Sequence, residues 1–244
     1  MAALITANLT FFALAFLPPI LWLAFYLRED RRHPEPRRLI ILVFAGGIAS
    51  AFIAIFVELV VFRVILDTAV SMERQALTFF LIIGIIEEYV KYLPVKFLVL
   101  RRLDFDEPID AMIYMITAGL GFAALENILF VLPVFNANIL SGIEITTSRF
   151  FGANLLHALT SGIVGFFLAR SFFSPRRPHA IAFGVGAAAL LHALFNYLII
   201  IREVLPVGVF YLAFLLIIMF TAVVLDFRRL RRDGTTAKTT LPRA

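Results

Sequence analysis

Seven long apolar segments follow one another along the chain, separated by short polar stretches. They span approximately residues 4–27, 39–62, 77–100, 109–132, 149–169, 180–201 and 206–225. Each has about 20 residues or more, enough for a helix to cross a hydrocarbon core of roughly 30 Å. The runs are continuous rather than alternating, and backbone amides in a bilayer must be satisfied within each segment, which favours helices over a barrel. We therefore predict an all-α membrane protein, a bundle of about seven transmembrane helices.

The composition supports this class of protein. Of the 244 residues, 61% are hydrophobic and 16% are charged, whereas soluble domains average about 45–50% apolar and about 25% charged residues. Soluble enzymes and disordered proteins are thereby excluded, and a multi-pass protein of the cell membrane is expected in a lipid bilayer. Cysteine is absent, so the chain has neither a disulfide framework nor a cysteine-based metal site.

The basic residues are distributed unevenly between alternate connecting segments. Sixteen of the 22 Lys and Arg residues lie in the first, third and fifth connections and the C-terminal tail, against four in the other connections. Because cytoplasmic loops carry the excess of basic residues, this asymmetry predicts a cytoplasmic C-terminus and an N-terminus outside. It also explains the net charge of +5 without a nucleic-acid partner.

The chain is predicted to form a single membrane domain over residues 1–227. No polar stretch between the apolar segments is long enough for a separate soluble domain. Residues 228–244 are basic and rich in threonine, and we expect them to form a disordered cytoplasmic tail.

Four consecutive apolar segments, from the third to the sixth, carry ionisable side chains. Placing such a group inside a span costs at least ~2.5–3.5 kcal/mol, so each is a functional hypothesis by default. The polar residues of these segments are Glu87, Glu88 and Lys91, then Glu126 and Asn127, then Asn154 and His157, and finally His192 and Asn196.

Helical spacing indicates which charged groups of the third segment can pair and which lie on different faces of the helix. Lys91 follows Glu87 by four residues and Glu88 by three, so it can neutralise either carboxylate. The two glutamates are about 100° apart around the helix. They are therefore expected to have different roles, one of them facing a shared cavity.

The two histidines each have an amide on the same helical face. Asn154 precedes His157 by three residues, and Asn196 follows His192 by four. An amide placed in this way can hydrogen-bond one ring nitrogen and fix the tautomer. The other nitrogen is then free to act as a metal ligand or base.

The depths of these groups in the membrane agree with one another. At a rise of ~1.5 Å per residue, Glu87 lies ~15 Å from the outer end of its segment. By the same measure Glu126, His157 and His192 lie ~9–14 Å from theirs. Residues placed for unrelated reasons would not share one level, so we predict a single site.

Glu58 is interpreted differently from these groups. It lies near the outer interface with Arg63 close by in the sequence, which suggests an interfacial ion pair. His33 and His179 lie in basic connecting segments and are expected to be solvated.

The motifs in these segments resemble those of the PrsW-type intramembrane proteases. Glu87-Glu88-x-x-Lys91 is similar to their EExxK motif, and Phe122-x-x-x-Glu126 followed by Asn127 is similar to their second motif. His157 and His192-x-x-x-Asn196 are similar to the two later histidine motifs. The resemblance covers residues 80–200 approximately, so the protease-like core is expected at about 77–201.

The wider superfamily includes the type II CAAX prenyl proteases and the bacterial CPBP proteins. Their usual motifs are EExxxR, FxxxH and HxxxN. This chain departs from that pattern, with Lys91 in place of the arginine and Glu126 in place of the second-motif histidine. It therefore resembles the PrsW type more closely than a prenyl-protein processor.

The resemblance implies site-1 cleavage of a single-span anti-sigma factor near the outer face of the membrane, the first step of regulated intramembrane proteolysis. It also implies a Glu/His active site. The candidate catalytic residues are Glu87, Glu88, Lys91, Glu126, His157, His192 and Asn196.

Two mechanisms are compatible with these residues. In the first, Glu126, His157 and His192 bind Zn²⁺ with an open position for water, and Glu87 or Glu88 is the general base. Asn196 then orients a ligand or stabilises the oxyanion, and Lys91 compensates charge. In the second, a buried glutamate and a histidine activate water without a metal, as has been argued for the related CAAX proteases.

Two functions from other classes remain open at the level of the sequence. Buried glutamate, histidine and lysine also form proton relays, as a proton-coupled transporter requires. A non-catalytic membrane scaffold or binding protein could keep the same fold. Convergence of the ionisable groups at one place would favour the protease.

Overall fold

Helices account for nearly all of the described chain. The structure is a computed structural model that describes residues 2–30, 33–65, 72–135, 138–171, 177–205 and 207–240. These ranges contain eight α-helices and, after α1, a 3₁₀ turn at Leu27–Asp30, but no β-strand. The predicted all-α class is confirmed. The helices are α1 Ala2–Tyr26, α2 Arg37–Ile65, α3 Met72–Leu98, α4 Pro108–Phe135, α5 Ile139–Phe151, α6 Ala153–Arg170, α7 Arg177–Val204 and α8 Gly208–Thr240.

The described helices are those of a multi-pass membrane protein. They form six segments that are long and apolar enough to cross a membrane, and α5 and α6 together make one of these segments. The 27 residues of α3 are long enough as well, but its charged residues set it apart from these six. With α3 included, the bundle has the predicted seven spans, and their orientation in the membrane stays a prediction.

Helix α4 lies at the centre of the bundle. It packs against α1, α2, α3, α5, α6 and α8, and every residue from 109 to 125 is buried. Two glycines allow α2 to approach this helix closely. A Cβ atom on Gly47 would lie 2.1 Å from the Ala118 carbonyl oxygen, and one on Gly121 would lie 2.1 Å from the Phe44 carbonyl oxygen. The small residues of both helices therefore determine the distance between them.

The predicted fifth segment, 149–169, is divided between two helices. α5 ends at Phe151 and α6 begins at Ala153, because the chain leaves helical geometry at Gly152, with φ −101° and ψ −96°. Residues 149–151 of the predicted segment belong to α5, and residues 153–169 belong to α6. The break changes the direction in which the last turn of α5 presents its side chains.

Helix α8 continues well beyond the apolar segment to Thr240. Residues 228–240, where we predicted a disordered tail, are therefore helical, and residues 241–244 lie outside the described part. Two ion pairs support the extension. Arg229 contacts Asp226 at 3.1 Å, and Arg231 contacts Glu29 of the 3₁₀ turn.

Candidate active site

Six of the seven candidate catalytic residues come together between α3, α4, α6 and α7. Helix α3 contributes three of them, and α4, α6 and α7 contribute one each. Five are buried, whereas the side chain of the sixth, Glu126, is 20% exposed. The residues of this buried cluster are Glu87, Glu88, Lys91, Glu126, His157 and His192.

Small residues bring the four helices close enough for these contacts. A Cβ atom on Gly84, one turn before Glu88, would lie 2.7 Å from the Ala189 carbonyl oxygen of α7. One on Gly119 would lie 2.8 Å from the His157 carbonyl oxygen of α6. Both distances are too short for any larger residue, so the glycines permit α3 to approach α7 and α4 to approach α6 at the level of the histidines.

Lys91 joins the two glutamates of α3. Its Nζ atom lies 3.2 Å from Glu87 Oε2 and 2.8 Å from Glu88 Oε1. The ammonium also lies 4.5 Å from the centre of the Phe122 ring. A buried charge is tolerated when it is paired and hydrogen-bonded, and the predicted neutralisation of the glutamates by Lys91 is found for both.

The contacts of His157 determine which of its ring nitrogens carries the proton. Its Nδ1 atom lies 2.8 Å from Lys91 Nζ, and its Nε2 atom lies 2.8 Å from Glu126 Oε2. An ammonium can only donate and an ionised carboxylate can only accept. His157 therefore donates from Nε2 to Glu126, and its lone pair is on Nδ1.

His192 has the corresponding arrangement with its nitrogens exchanged. Its Nδ1 atom lies 2.9 Å from Glu88 Oε1 and donates to that carboxylate. In the neutral ring the lone pair is then on Nε2, which lies 3.7 Å from Glu87 Oε2. Both imidazoles thus have one nitrogen bound to a glutamate and the other on the side of Glu87, where the Nδ1 atom of His157 accepts from Lys91.

Glu87, His157 and His192 form a group that could hold a metal ion. Each is buried, and one ligand atom from each lies within 4.8 Å of the others. His157 Nδ1 lies 3.9 Å from Glu87 Oε2, comparable to the 3.7 Å of His192. Histidines that bind metals commonly donate their other ring N–H to a carboxylate, which here is Glu126 for His157 and Glu88 for His192.

The two asparagines do not bind the histidines. Asn154 exchanges hydrogen bonds with Asn127 at 3.0 and 3.3 Å and donates to the Arg149 carbonyl oxygen at 2.9 Å. Asn196 is half-buried one turn after His192, with no hydrogen bond between them in the described part of the chain. The prediction that amides fix the tautomers is wrong, because carboxylates already occupy the nitrogens concerned.

Arg149 extends the cluster towards α5. Its Nη2 atom donates to Glu126 Oε2 at 2.9 Å, and its Nε atom donates to Asn127 Oδ1 at 2.6 Å. The guanidinium lies 4.4 Å from the centre of the Phe130 ring. Glu126 therefore accepts from an arginine and from a histidine at once.

The comparison with protein families matches the greater part of the chain, including this whole cluster. A model described as PrsW family intramembrane metalloprotease covers residues 35–225. The chain belongs to this family. As a PrsW family member it is a membrane-embedded peptidase acting on membrane proteins, and the transporter and scaffold hypotheses give way to this function.

Several bacterial relatives carry the name Protease PrsW. The protein of Geobacillus kaustophilus is 28% identical over 187 residues, which cover 76% of this chain and 78% of the relative. That of Bacillus subtilis is 26% identical over 184 residues, covering 75% and 79%. That of Clostridioides difficile is 23% identical over 198 residues, covering 80% and 81%. No solved structure matches the chain.

The carboxylate that faces both imidazoles in this PrsW family member differs from the predicted one. We expected Glu126 to complete the ligand set of His157 and His192, but it binds the Nε2 atom of His157 and Arg149 instead. Glu87 takes the facing position, because α3 lies against α7 and also contacts α6. Sequence spacing gives the depth of a side chain, not the rotation of one helix relative to its neighbours.

Glu58 also differs from its interpretation. The structure shows no ion pair between the described residues Glu58 and Arg63, which are about 140° apart around α2 at 100° per residue. Arg63 is exposed, whereas Glu58 is half-buried and its Oε1 atom has no hydrogen-bond partner among the described residues. Glu58 interacts electrostatically with the cluster, including Glu87 and His192. By contrast, His33 and His179 are exposed as predicted.

Arg149 is the residue of the site that the sequence reasoning missed. It is one of the four basic residues in the connections that are predicted to lie outside, and its position there indicates no role in the site. One signal was present, since eight residues separate it from His157, about two helical turns. Because the helix is broken at Gly152, this spacing does not by itself predict the orientation of Arg149 relative to His157.

Proposed function

We propose that the chain hydrolyses a peptide bond of a single-span membrane protein near the outer face of the membrane, and that its substrate is an anti-sigma factor. The observation that carries the proposal is the buried group of Glu87, His157 and His192, in which each imidazole is held by a further glutamate. The relatives named Protease PrsW support the reaction, and the resemblance of the motifs supports the substrate.

The donor set fits Zn²⁺. Two neutral imidazoles and one carboxylate form a common catalytic zinc set that leaves a position for water. The ligand atoms we propose are Glu87 Oε2, His157 Nδ1 and His192 Nε2, on the basis of the tautomers described above. Lys91 Nζ, which contacts the first two of these atoms at 3.2 and 2.8 Å, would give up both contacts to a bound ion. When bound, zinc supplies Lewis-acid activation of water and of the scissile carbonyl group.

Glu88 is the residue we assign as general base. Its Oε1 atom is held by Lys91 and by His192 Nδ1. Its Oε2 atom is buried and has no hydrogen-bond partner in the described part of the chain. This oxygen is available to accept a proton from the attacking water and to pass it to the leaving amine.

The remaining residues hold and stabilise the site. The Lys91 ammonium balances the charges of Glu87 and Glu88, and Glu126 holds His157 in the tautomer whose lone pair is on Nδ1. Asn196 is the amide we assign to the oxyanion. It lies on the same face of α7 as His192, and a donor of this kind contributes about 10²–10³ to kcat.

The test of this proposal uses purified protein in liposomes that contain a single-span substrate. Cleavage and bound zinc are measured for wild type and for Glu87→Gln, His157→Ala and His192→Ala. We expect each variant to lose both while still accumulating in the membrane. The exposed His179, changed to Ala, is the matched control and should leave both unchanged.

The outcomes of this experiment distinguish an error in the proposed site residues from an error in the proposed metal. Full cleavage by both histidine variants would refute the proposed site. If the variants are inactive but wild-type cleavage resists a chelator and no zinc copurifies, the metal is refuted and the metal-free mechanism takes its place.

The side of cleavage depends on the predicted orientation, which single cysteines can test because the natural sequence has none. Glu144 of α5 and His179 of α7 are both exposed. In intact cells, a membrane-impermeant maleimide should label Glu144→Cys and should label His179→Cys only after permeabilisation. The reverse pattern would place the site near the inner face.

A further inference from the structure

The last turn of α5 is fixed by contacts from two other helices. Trp22 of α1 donates from its indole nitrogen to the Phe150 carbonyl oxygen at 2.9 Å, and its ring stacks on that of Phe150 at 5.3 Å. Asn154 of α6 donates to the Arg149 carbonyl oxygen at 2.9 Å. The backbone at Arg149 is therefore held in place beside the break at Gly152.

The side chain of Arg149 is also held in one orientation. Its planar guanidinium makes two directed hydrogen bonds, to Glu126 and to Asn127, and packs on the Phe130 ring. Asn127 is fixed in turn by donating to the Ala15 carbonyl oxygen at 2.9 Å and to Asn154. A planar fork held at two points cannot be replaced by the point charge of lysine without losing one of the bonds.

We propose that Arg149 is a positioning residue for peptide hydrolysis, one that holds Glu126 against His157. Glu126 is the most exposed member of the buried cluster, with 20% of its side chain exposed. Without Arg149 its carboxylate would be free to turn towards solvent and would no longer accept the Nε2–H of His157. The outer partners of a metal-binding histidine orient the ring and set its tautomer, so this loss reaches the reacting atoms through His157.

This inference rests on the proposed function, because Arg149 acts through a residue of the same site. It differs from a purely structural role in what it predicts. A structural residue would lower the amount of folded protein, whereas a positioning residue lowers kcat and the affinity for zinc in the protein that is folded.

The test compares Arg149→Met, which keeps much of the packing on Phe130, with Arg149→Lys, which keeps the charge. For Arg149→Met we expect kcat and zinc affinity, measured by competition with a chelator, to fall by about 10–100-fold, the range for outer partners of metal ligands. KM should change little. Arg149→Lys should retain part of the kcat and zinc affinity that Arg149→Met loses. The control is Arg63→Ala, a change at an exposed arginine of α2, and its kcat and zinc affinity should equal those of wild type.

Each outcome decides for or against the positioning role. Wild-type kcat and zinc affinity in folded Arg149→Met would overturn it, whether or not the thermal unfolding temperature falls. Full cleavage by His157→Ala would instead refute the proposed function itself. If wild type binds no zinc but Arg149→Met still loses kcat with rescue by lysine, the positioning role stands without the metal.

Discussion

Helices α4 and α8 both cross the bundle, but they have different surroundings. The apolar segment of α4 is 72% buried and has a mean hydropathy of 1.8, whereas that of α8 is 22% buried and has a mean hydropathy of 2.7. The more apolar helix is therefore the more exposed one, with Phe210, Phe214 and Ile217 on its outer surface. A lipid-facing helix requires only apolar side chains, whereas a helix surrounded by protein can use small and polar residues for packing and chemistry.

The largest effect that this comparison predicts is on cleavage. We expect Glu87→Gln at the centre to lower kcat by about 10⁴-fold, the size typical of losing one member of a catalytic unit. The double variant His157→Ala/His192→Ala should be scarcely worse than either single variant, because members of one unit are not additive. Ile217→Ala on α8 should remain within about twofold of wild type.

Single-turnover cleavage in liposomes measures all of these variants. A strong loss in Ile217→Ala would show that α8 is more than a lipid-facing helix. Additive losses in the double histidine variant would argue against one shared catalytic unit.

The next largest effect is on stability, at the close approach of α2 and α4. Gly121→Ala would place a Cβ atom 2.1 Å from the Phe44 carbonyl oxygen. Because a backbone atom of a packed helix has little room to move, we expect a loss of about 1–3 kcal/mol in the free energy of unfolding. Gly186→Ala on α7, where a new Cβ atom meets nothing within 4 Å, is the matched control.

Denaturant unfolding in detergent compares the two glycine variants directly. Equal stabilities would mean that α2 and α4 can separate at little cost, and that the central packing is looser than the structure indicates.

The smallest expected effect concerns Glu58 of α2, whose exposure is intermediate between that of the buried centre and that of the lipid-facing surface. It is half-buried and interacts electrostatically with the cluster, but its Oε1 atom has no hydrogen-bond partner in the described part of the chain. Glu58→Gln removes a carboxyl group without breaking an ion pair, so we expect the cleavage rate to change by less than about tenfold, or about 1.4 kcal/mol. A loss as large as that of Glu87→Gln would make Glu58 a member of the catalytic unit.

The sequence predicts well what depends on a single helix. The spans follow from continuous apolar runs, and the contacts of Lys91 with Glu87 and Glu88 follow from spacings of four and three residues. What depends on two helices was harder to predict. The facing position of Glu87 rather than Glu126 follows from how α3 packs against α6 and α7, and no periodicity along one helix contains that rotation.

The departures from the predicted elements also have local causes. Gly152 ends α5 inside a segment that is apolar enough to read as one helix, and the break turns Arg149 towards Glu126. Helix α8 extends into polar sequence, where two of its arginines pair with carboxylates, Asp226 on the same helix and Glu29 in the 3₁₀ turn after α1. Hydropathy detects neither a single glycine break nor a pairing between residues that are 202 positions apart.

The charges of α3 also affect how the chain is made. Glu87, Glu88 and Lys91 lie in the middle of this helix, and each charge costs a helix at least ~2.5–3.5 kcal/mol when it inserts alone. The two ion pairs within α3 reduce that cost, but the imidazoles that complete the environment belong to α6 and α7, which are synthesised later. During biosynthesis α3 is therefore the span least able to insert stably in lipid by itself. Its stable insertion depends on the later helices α6 and α7, because these supply the partners of its charged groups.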